Sequence, residues 1–328
     1  MDKDYAEKTK SIENSLKESI LQNLALGFCD NYISPYAIAL KFSPFALGIL
    51  NGIPNLLGPW SEIFTRNFIS KFKRKFVLII VTLIQSLFYL FLSLTALLLF
   101  LKVEFNYFII ILLFAIYSLA SYLGAPIFTS WIGDLVENKK INDYFALRNS
   151  LGTLAGILGI LIAGILLDIF KFQIIGNVFL GFALIFIIGS FLNTLRINLF
   201  YRIYEPEINF EKESYFSLID FIRYGLKTNF GKFVIFNSFL IFSTNLSAPF
   251  YNLFIFRDLK FTYSHYIAIL VASSLSSFTA YYIWERVIEK VGHLKILKLI
   301  GALVSLPAFL YVFVIFMPYY YSFLFIIL

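Results

Sequence analysis

FVLIIVTLIQSLFYLFLSLTALLLFL, residues 76–101, decides the class of this chain. The run carries no acidic or basic side chain. At about 1.5 Å of rise per residue, a helix of this length crosses the roughly 30 Å hydrocarbon core of a bilayer. Lys71, Lys73, Arg74 and Lys75 precede it, and Lys102 follows. A basic cluster on one flank and one lysine on the other is the charge signature of an oriented membrane span.

The rest of the chain repeats the pattern. Hydrophobic residues make up 59% of it and charged residues only 14%, where a soluble domain carries about a quarter. Mean hydropathy is +0.80. Eight further spans are read at Ile20–Leu40, Pro44–Thr65, Tyr107–Ile132, Asn149–Phe170, Ile174–Leu195, Phe233–Phe256, Tyr263–Trp284 and Ile296–Met317. The run YYYSFLFIIL, residues 319–328, opens a tenth. All are read as helices, because lipid cannot satisfy an open sheet edge.

Lysine and arginine concentrate in alternate loops, in 70–75, 139–148, 196–232 and 286–298, and in the first seventeen residues. The N-terminus and these loops are therefore expected to be cytoplasmic. The net charge of +7 is this orientation signal, so no nucleic-acid partner is expected. The single cysteine, Cys29, excludes an internal disulfide and any cysteine-based zinc cluster.

The organisation is expected to be a charged leader over 1–19, a six-helix bundle over 20–197, a cytoplasmic linker over 198–232 and an incomplete second bundle over 233–328. Two basic loops occupy matching places in the two halves: SKFKRKFVLI, residues 70–79, and EKVGHLKILK, residues 289–298. In this the chain resembles the major facilitator superfamily of transporters. That family's loop between helices 2 and 3 holds an acid, a base, a glycine and further bases, and a looser copy follows helix 8. Glu289, Lys290, Gly292 and His293 fit the second copy. In the first, Lys71, Arg74 and Lys75 keep the basic places, while Ser70 replaces the acid and Lys73 the second glycine. Trp131, Asp134, Asp143, Tyr144, Phe145, Arg148 and Asn149 resemble the family's loop between helices 4 and 5.

The resemblance implies an all-α polytopic fold of twelve helices in two pseudo-symmetric halves. A chain with nine spans and part of a tenth is expected to be a truncated member. It also implies secondary transport of a small solute by alternating access, driven by protons or another coupling ion, or by none. A monomer in the cell membrane, bathed by lipid and without a cofactor or metal, is expected.

Polar side chains inside the spans give candidate sites. Asn23, Gly27, Asp30 and Ser34 share one face of span 1, with Asn31 beside them. Asn51, Asn55, Gly58 and Glu62 share a face of span 2, and Thr82, Ser86, Tyr89 and Ser93 a face of span 3. Such stripes face other helices or water rather than lipid, so a polar cavity is expected between them. Asn237 and Asn245 offer a facing wall from span 7. Asp30, near mid-span, is read as the substrate or coupling residue, with packing against a neighbouring helix as the alternative. Glu62, Lys71, Arg74, Lys75, Asp134, Arg148, Glu289, Lys290 and Gly292 form the expected cytoplasmic gate. Gly152, Gly156, Gly159 and Ala163 in span 5 are expected to let two helices approach closely.

An enzyme would need a reactive constellation. The two histidines, His265 and His293, stand apart in sequence, and no glycine-rich phosphate loop is present. A non-transporting scaffold or sensor, or a nonfunctional truncated transporter, remains the alternative.

Overall fold

A computed structural model describes the backbone of residues 2–103, 106–136, 140–174, 176–206, 223, 225–314 and 316–327. The side chain of Glu62 lies outside the described residues. The elements in order are α1 (Asp2–Phe28), α2 (Asp30–Ala39), α3 (Pro44–Lys71), α4 (Arg74–Phe100), α5 (Phe108–Leu135), α6 (Ile141–Ile169) and α7 (Val178–Arg202). They continue as α8 (Asn229–Leu253), α9 (Tyr263–Val291), α10 (His293–Leu303), α11 (Ser305–Val314) and α12 (Tyr319–Ile327). No strand occurs among the described residues. Among the described residues, five helical stretches are long and apolar enough to cross a membrane: Arg74–Phe100, Phe108–Leu135, Ile141–Phe172, Val178–Arg202 and Asn229–Asp258.

Local chemistry explains the boundaries. Ser43 accepts from Ala46 N at 3.2 Å and Pro44 opens α3, a side-chain cap followed by a ring that needs no donor. Asn177 caps α7 through Phe179 N at 2.9 Å. The tight turns after α2 and α4 each pass through a lysine in the left-handed region, Lys41 at φ 60 and Lys102 at φ 61. Phe42 N reaches Ala37 O and Val103 N reaches Leu98 O, so both helices close with the wide C-terminal bond usually associated with glycine.

Two spans are broken. Span 9 divides at Val304, three residues after which Pro307 sits in the first turn of α11. Its missing N–H cannot bond back to Leu303. Span 1 divides at Cys29. Pro35 then leaves the Asn31 carbonyl without its helical donor, and Tyr266 supplies one through its hydroxyl at 3.0 Å.

The chain divides into two compact units. One comprises Met1–Pro206 with Asn252–Ser274, the other Glu207–Tyr251 with Leu275–Leu328. In the first, α1 packs along α6, α3 along α5, and α4 along α7. Its core near the basic end holds Val77, Leu78 and Val81 of α4, Ile127, Trp131 and Ile132 of α5, and Phe200 of α7. The glycine stripe of span 5 lies on the α1–α6 seam. A Cβ on Gly159 would stand 2.6 Å from Leu24 O, and one on Gly27 would overlap the Gly156 carbonyl. In the second unit, Phe236 covers Gly301 and Tyr251 packs on Tyr311 with ring centroids 4.6 Å apart.

Residues 2–19 of the leader form the first two thirds of α1, and Ser11, Asn14, Ser15, Glu18 and Ser19 on it are buried. Its hydropathy is low because its inward face is polar, and that face finds polar partners. Ser15 meets the Tyr144 hydroxyl at 2.8 Å, and Ser11 accepts from Tyr204 N at 2.9 Å.

Candidate functional site

Asp30 is the first residue of α2, just past the break. A helix start favours a carboxylate, because unpaired amides and the macrodipole both point there. The side chain is half-buried. Tyr89 of α4 donates to Oδ1 at 2.6 Å, and the Tyr117 hydroxyl of α5 lies 2.7 Å from both carboxylate oxygens. The two hydroxyls are 3.0 Å apart. Phe88 and Phe114 pack around Tyr117, with Phe114 stacked on its ring. Two helices thus converge on the carboxylate of a third through hydroxyl donors within an aromatic wall.

One helical turn along α4 and α5 from this cluster lies a cavity of about 290 Å³. Its polar lining comes from Glu18 and Gln22 of α1, Thr82 and Gln85 of α4, Ser121 and Thr129 of α5, Arg148 and Asn149 of α6, and Arg196 of α7. Ser121 links the two regions. Its hydroxyl donates to Tyr117 O at 2.8 Å and meets the Gln85 amide at 3.0 Å. Glu18 is almost wholly buried between two guanidiniums, with Arg196 Nη2 at 2.7 Å and Arg148 Nη2 at 2.8 Å. Arg196 is further held by Gln85 and Asn193. The Arg148 guanidinium also stands over the Phe128 ring, 4.3 Å from its centroid.

A second network closes the basic end of this unit. Arg74 is fully buried and donates to Ser130 O at 3.0 Å, Asp134 at 2.5 Å and Pro206 O at 3.1 Å. Trp131 Nε1 donates to Tyr204 O at 2.9 Å, and Lys75 N reaches Glu205 at 3.3 Å. Residues 203–206 are therefore strapped across the ends of α1, α4 and α5.

The sequence-derived candidates are distributed as follows. Asp30 and Tyr89 meet directly. Asn51 accepts from Ser34 at 3.0 Å, whereas Asn55 is exposed and bonds back to Asn51 O, at 3.5 Å. Asn23 turns to Ser19 O and lies against Gly152 on the α1–α6 seam. Asn31 bonds to Leu26 O. The two serines of the span 3 stripe face α7: Ser86 donates to Ser190 O at 2.9 Å and Ser93 to Ala183 O at 2.7 Å, while Thr82 lines the cavity. Arg148 and Asp134 sit in different networks, the first with Glu18 and the second with Arg74. Lys71 is exposed. Asn237 and Asn245 stand on α8 in the second unit, as do Glu289 and Lys290, both exposed, on α9. Gly292 follows at φ 87, a conformation that suits glycine. Tyr117, Glu18, Gln22, Gln85 and Arg196 are site residues that the sequence reading passed over.

The sequence pattern of the Major Facilitator Superfamily matches residues 20–328. The chain belongs to that superfamily. Among solved structures, a bacterial homologue of the human lysosomal transporter Spinster, inward-facing and unoccupied, matches with a TM-score of 0.54 and 14% identity. The match covers 85% of this chain and 64% of that one. The same homologue in its inward-facing, occupied form gives a TM-score of 0.55 and 15% identity, over 81% of this chain and 60% of that one. This chain thus spans less than two thirds of either structure, and at such identity the likeness is one of fold. No curated protein sequence matches. Superfamily membership and the apolar helices make this a multi-pass integral membrane protein.

Proposed function

We propose that this protein is a secondary transporter that carries a small solute across the cell membrane by alternating access, with its N-terminus in the cytoplasm. Asp30 is its coupling residue, taking up and releasing a proton while the solute occupies the polar cavity of the first unit. The observation that carries this reading is the carboxylate held by two tyrosine hydroxyls one turn from that cavity. A charge at mid-membrane costs about 2.5–3.5 kcal/mol on insertion scales, and such residues commonly mark ion and proton pathways. The cluster has what a proton relay needs: a carboxylate that accepts and releases a proton, and adjacent hydroxyls that donate or accept to suit. Superfamily membership supports the transport class. The basic-end network of Arg74, Asp134, Trp131 and Lys75, with Arg148 nearby, serves as the cytoplasmic gate in this reading, and the protein acts as a monomer among lipids.

The test is uptake by the full chain reconstituted in vesicles with an imposed pH gradient, over a panel of labelled sugars, organic acids and amino acids. Wild type accumulates one solute class when the gradient is present. Asp30→Asn loses gradient-driven accumulation and keeps exchange of solute across the membrane without a gradient. Accumulation by Asp30→Asn equal to wild type overturns the coupling role.

A further inference from the structure

We infer that the cavity of the first unit takes a small anionic solute, one bearing a carboxylate or phosphate group, and that Arg148 is the residue that contacts its charge. This rests on reading the cavity as the solute site and adds the class of solute.

The charged groups in the cavity wall are Glu18, Arg148 and Arg196. Two guanidiniums against one carboxylate leave one positive charge unbalanced. The two arginines are not equivalent. Arg196 spends its donors on protein: Nε and Nη2 on Glu18, and Nη1 on Gln85 and Asn193. Arg148 uses Nη2 for both Glu18 and Gln22, and its buried Nε has no hydrogen-bond partner among the described residues. A buried guanidinium N–H without an acceptor is costly to leave unsatisfied, and carboxylates and phosphates are the oxyanions a guanidinium recognises best. The Phe128 ring beneath Arg148 fixes the plane of the fork while adding no competing acceptor. Gln22, Ser121, Thr129 and Asn149 supply neutral donors and acceptors around the same space, enough to orient the rest of a polar molecule. At about 290 Å³, the cavity sits at the small end of the roughly 300–1,000 Å³ range of ligand pockets. That suits a small organic acid or phosphate ester.

The experiment is equilibrium binding of radiolabelled succinate and of inorganic phosphate to the purified full chain in detergent, with glucose and choline as neutral and cationic competitors. At least one anion is expected to bind saturably, without competition from glucose or choline. Arg148→Gln is expected to weaken binding tenfold or more, Arg148→Lys to weaken it less, and Glu18→Gln to tighten it several-fold, because it removes the opposing carboxylate. A purely structural ion pair predicts the contrary: both Arg148→Gln and Glu18→Gln lower thermal stability, and neither moves Kd beyond twofold. That result, or the absence of saturable binding of either anion, overturns the proposal. If Arg148→Gln does not fold, the opposite shifts expected of Glu18→Gln and Arg148→Lys still decide it. In nanodiscs, a Kd unchanged between phosphatidylcholine and phosphatidylglycerol supports a soluble anion. Binding abolished by phosphatidylglycerol assigns the cavity to a lipid headgroup and overturns a solute. Anion binding without uptake in vesicles removes the transport reading and leaves this one; gradient-driven uptake of a neutral solute without anion binding does the reverse.

Discussion

Gly159→Ala is the sharpest test of the helix seam that positions the cavity. Alanine is a better helix former than glycine by about 1 kcal/mol, so propensity alone predicts a more stable protein. The structure predicts the opposite. A Cβ at residue 159 would lie 2.6 Å from Leu24 O and 3.1 Å from Gly27 Cα, both backbone atoms that no rotamer change can move. Restoring an ordinary 3.4 Å contact from 2.6 Å requires α1 and α6 to part by about 0.8 Å. Overpacking of this kind costs about 1–3 kcal/mol. Gly156→Ala, one turn away on the same helix, is the control, since its Cβ would meet Asn23 O at 3.6 Å in ordinary contact. Both variants gain the same propensity, so the term cancels in the comparison. Gly159→Ala should be less stable than Gly156→Ala by about 1–3 kcal/mol. The same displacement stretches the Glu18–Arg148 bond, which ties these two helices at 2.8 Å. The assay is denaturant unfolding of the purified full chain in mixed micelles, followed by helical circular dichroism. If Gly159→Ala is as stable as Gly156→Ala, the close approach of α1 and α6 is wrong.

Two further outcomes follow from the two networks. Tyr117→Phe removes a hydroxyl that touches both oxygens of Asp30 and should destabilise by about 1.5–3 kcal/mol, the range for hydrogen bonds to a charged group, with a smaller loss for Tyr89→Phe. In an Asp30→Asn background both losses should shrink, so additive losses in the double-mutant unfolding series would refute the shared cluster. Arg74→Ala frees the segment 203–206 from its buried anchor and should speed tryptic cleavage at Arg202, with Arg74→Lys intermediate; unchanged cleavage rates would show that the strap is held elsewhere.

The class of this protein was legible because lipid imposes a simple rule, and the run 76–101 obeys it. The glycine stripe of span 5 was legible for a similar reason: small residues at helical spacing serve close packing, and here they meet α1. Asp30 stood out as a carboxylate within an apolar span. Its partner Tyr117 did not, because one hydroxyl among 21 tyrosines and 40 phenylalanines carries no signal until the helices are placed. Glu18 and Arg196 were obscured differently. Each sits at the edge of an apolar run, where a charge is cheap and reads as part of a solvated flank. Only the buried polar face of α1 shows that the two meet inside the bundle. Gln85, mid-span and uncharged, fell one residue off the stripe formed by Thr82, Ser86, Tyr89 and Ser93, a stripe whose serines bind α7 instead of facing the cavity.

The break at Cys29 has a practical consequence. The sequence holds one cysteine, and it lies at the joint between α1 and α2, fully buried against Gly189 of α7. A thiol reagent applied to this 328-residue chain therefore has a single address. Its rate of reaction is a clock for how often α1 and α7 separate at that joint, next door to the carboxylate, with no residue needing to be added or removed to read it.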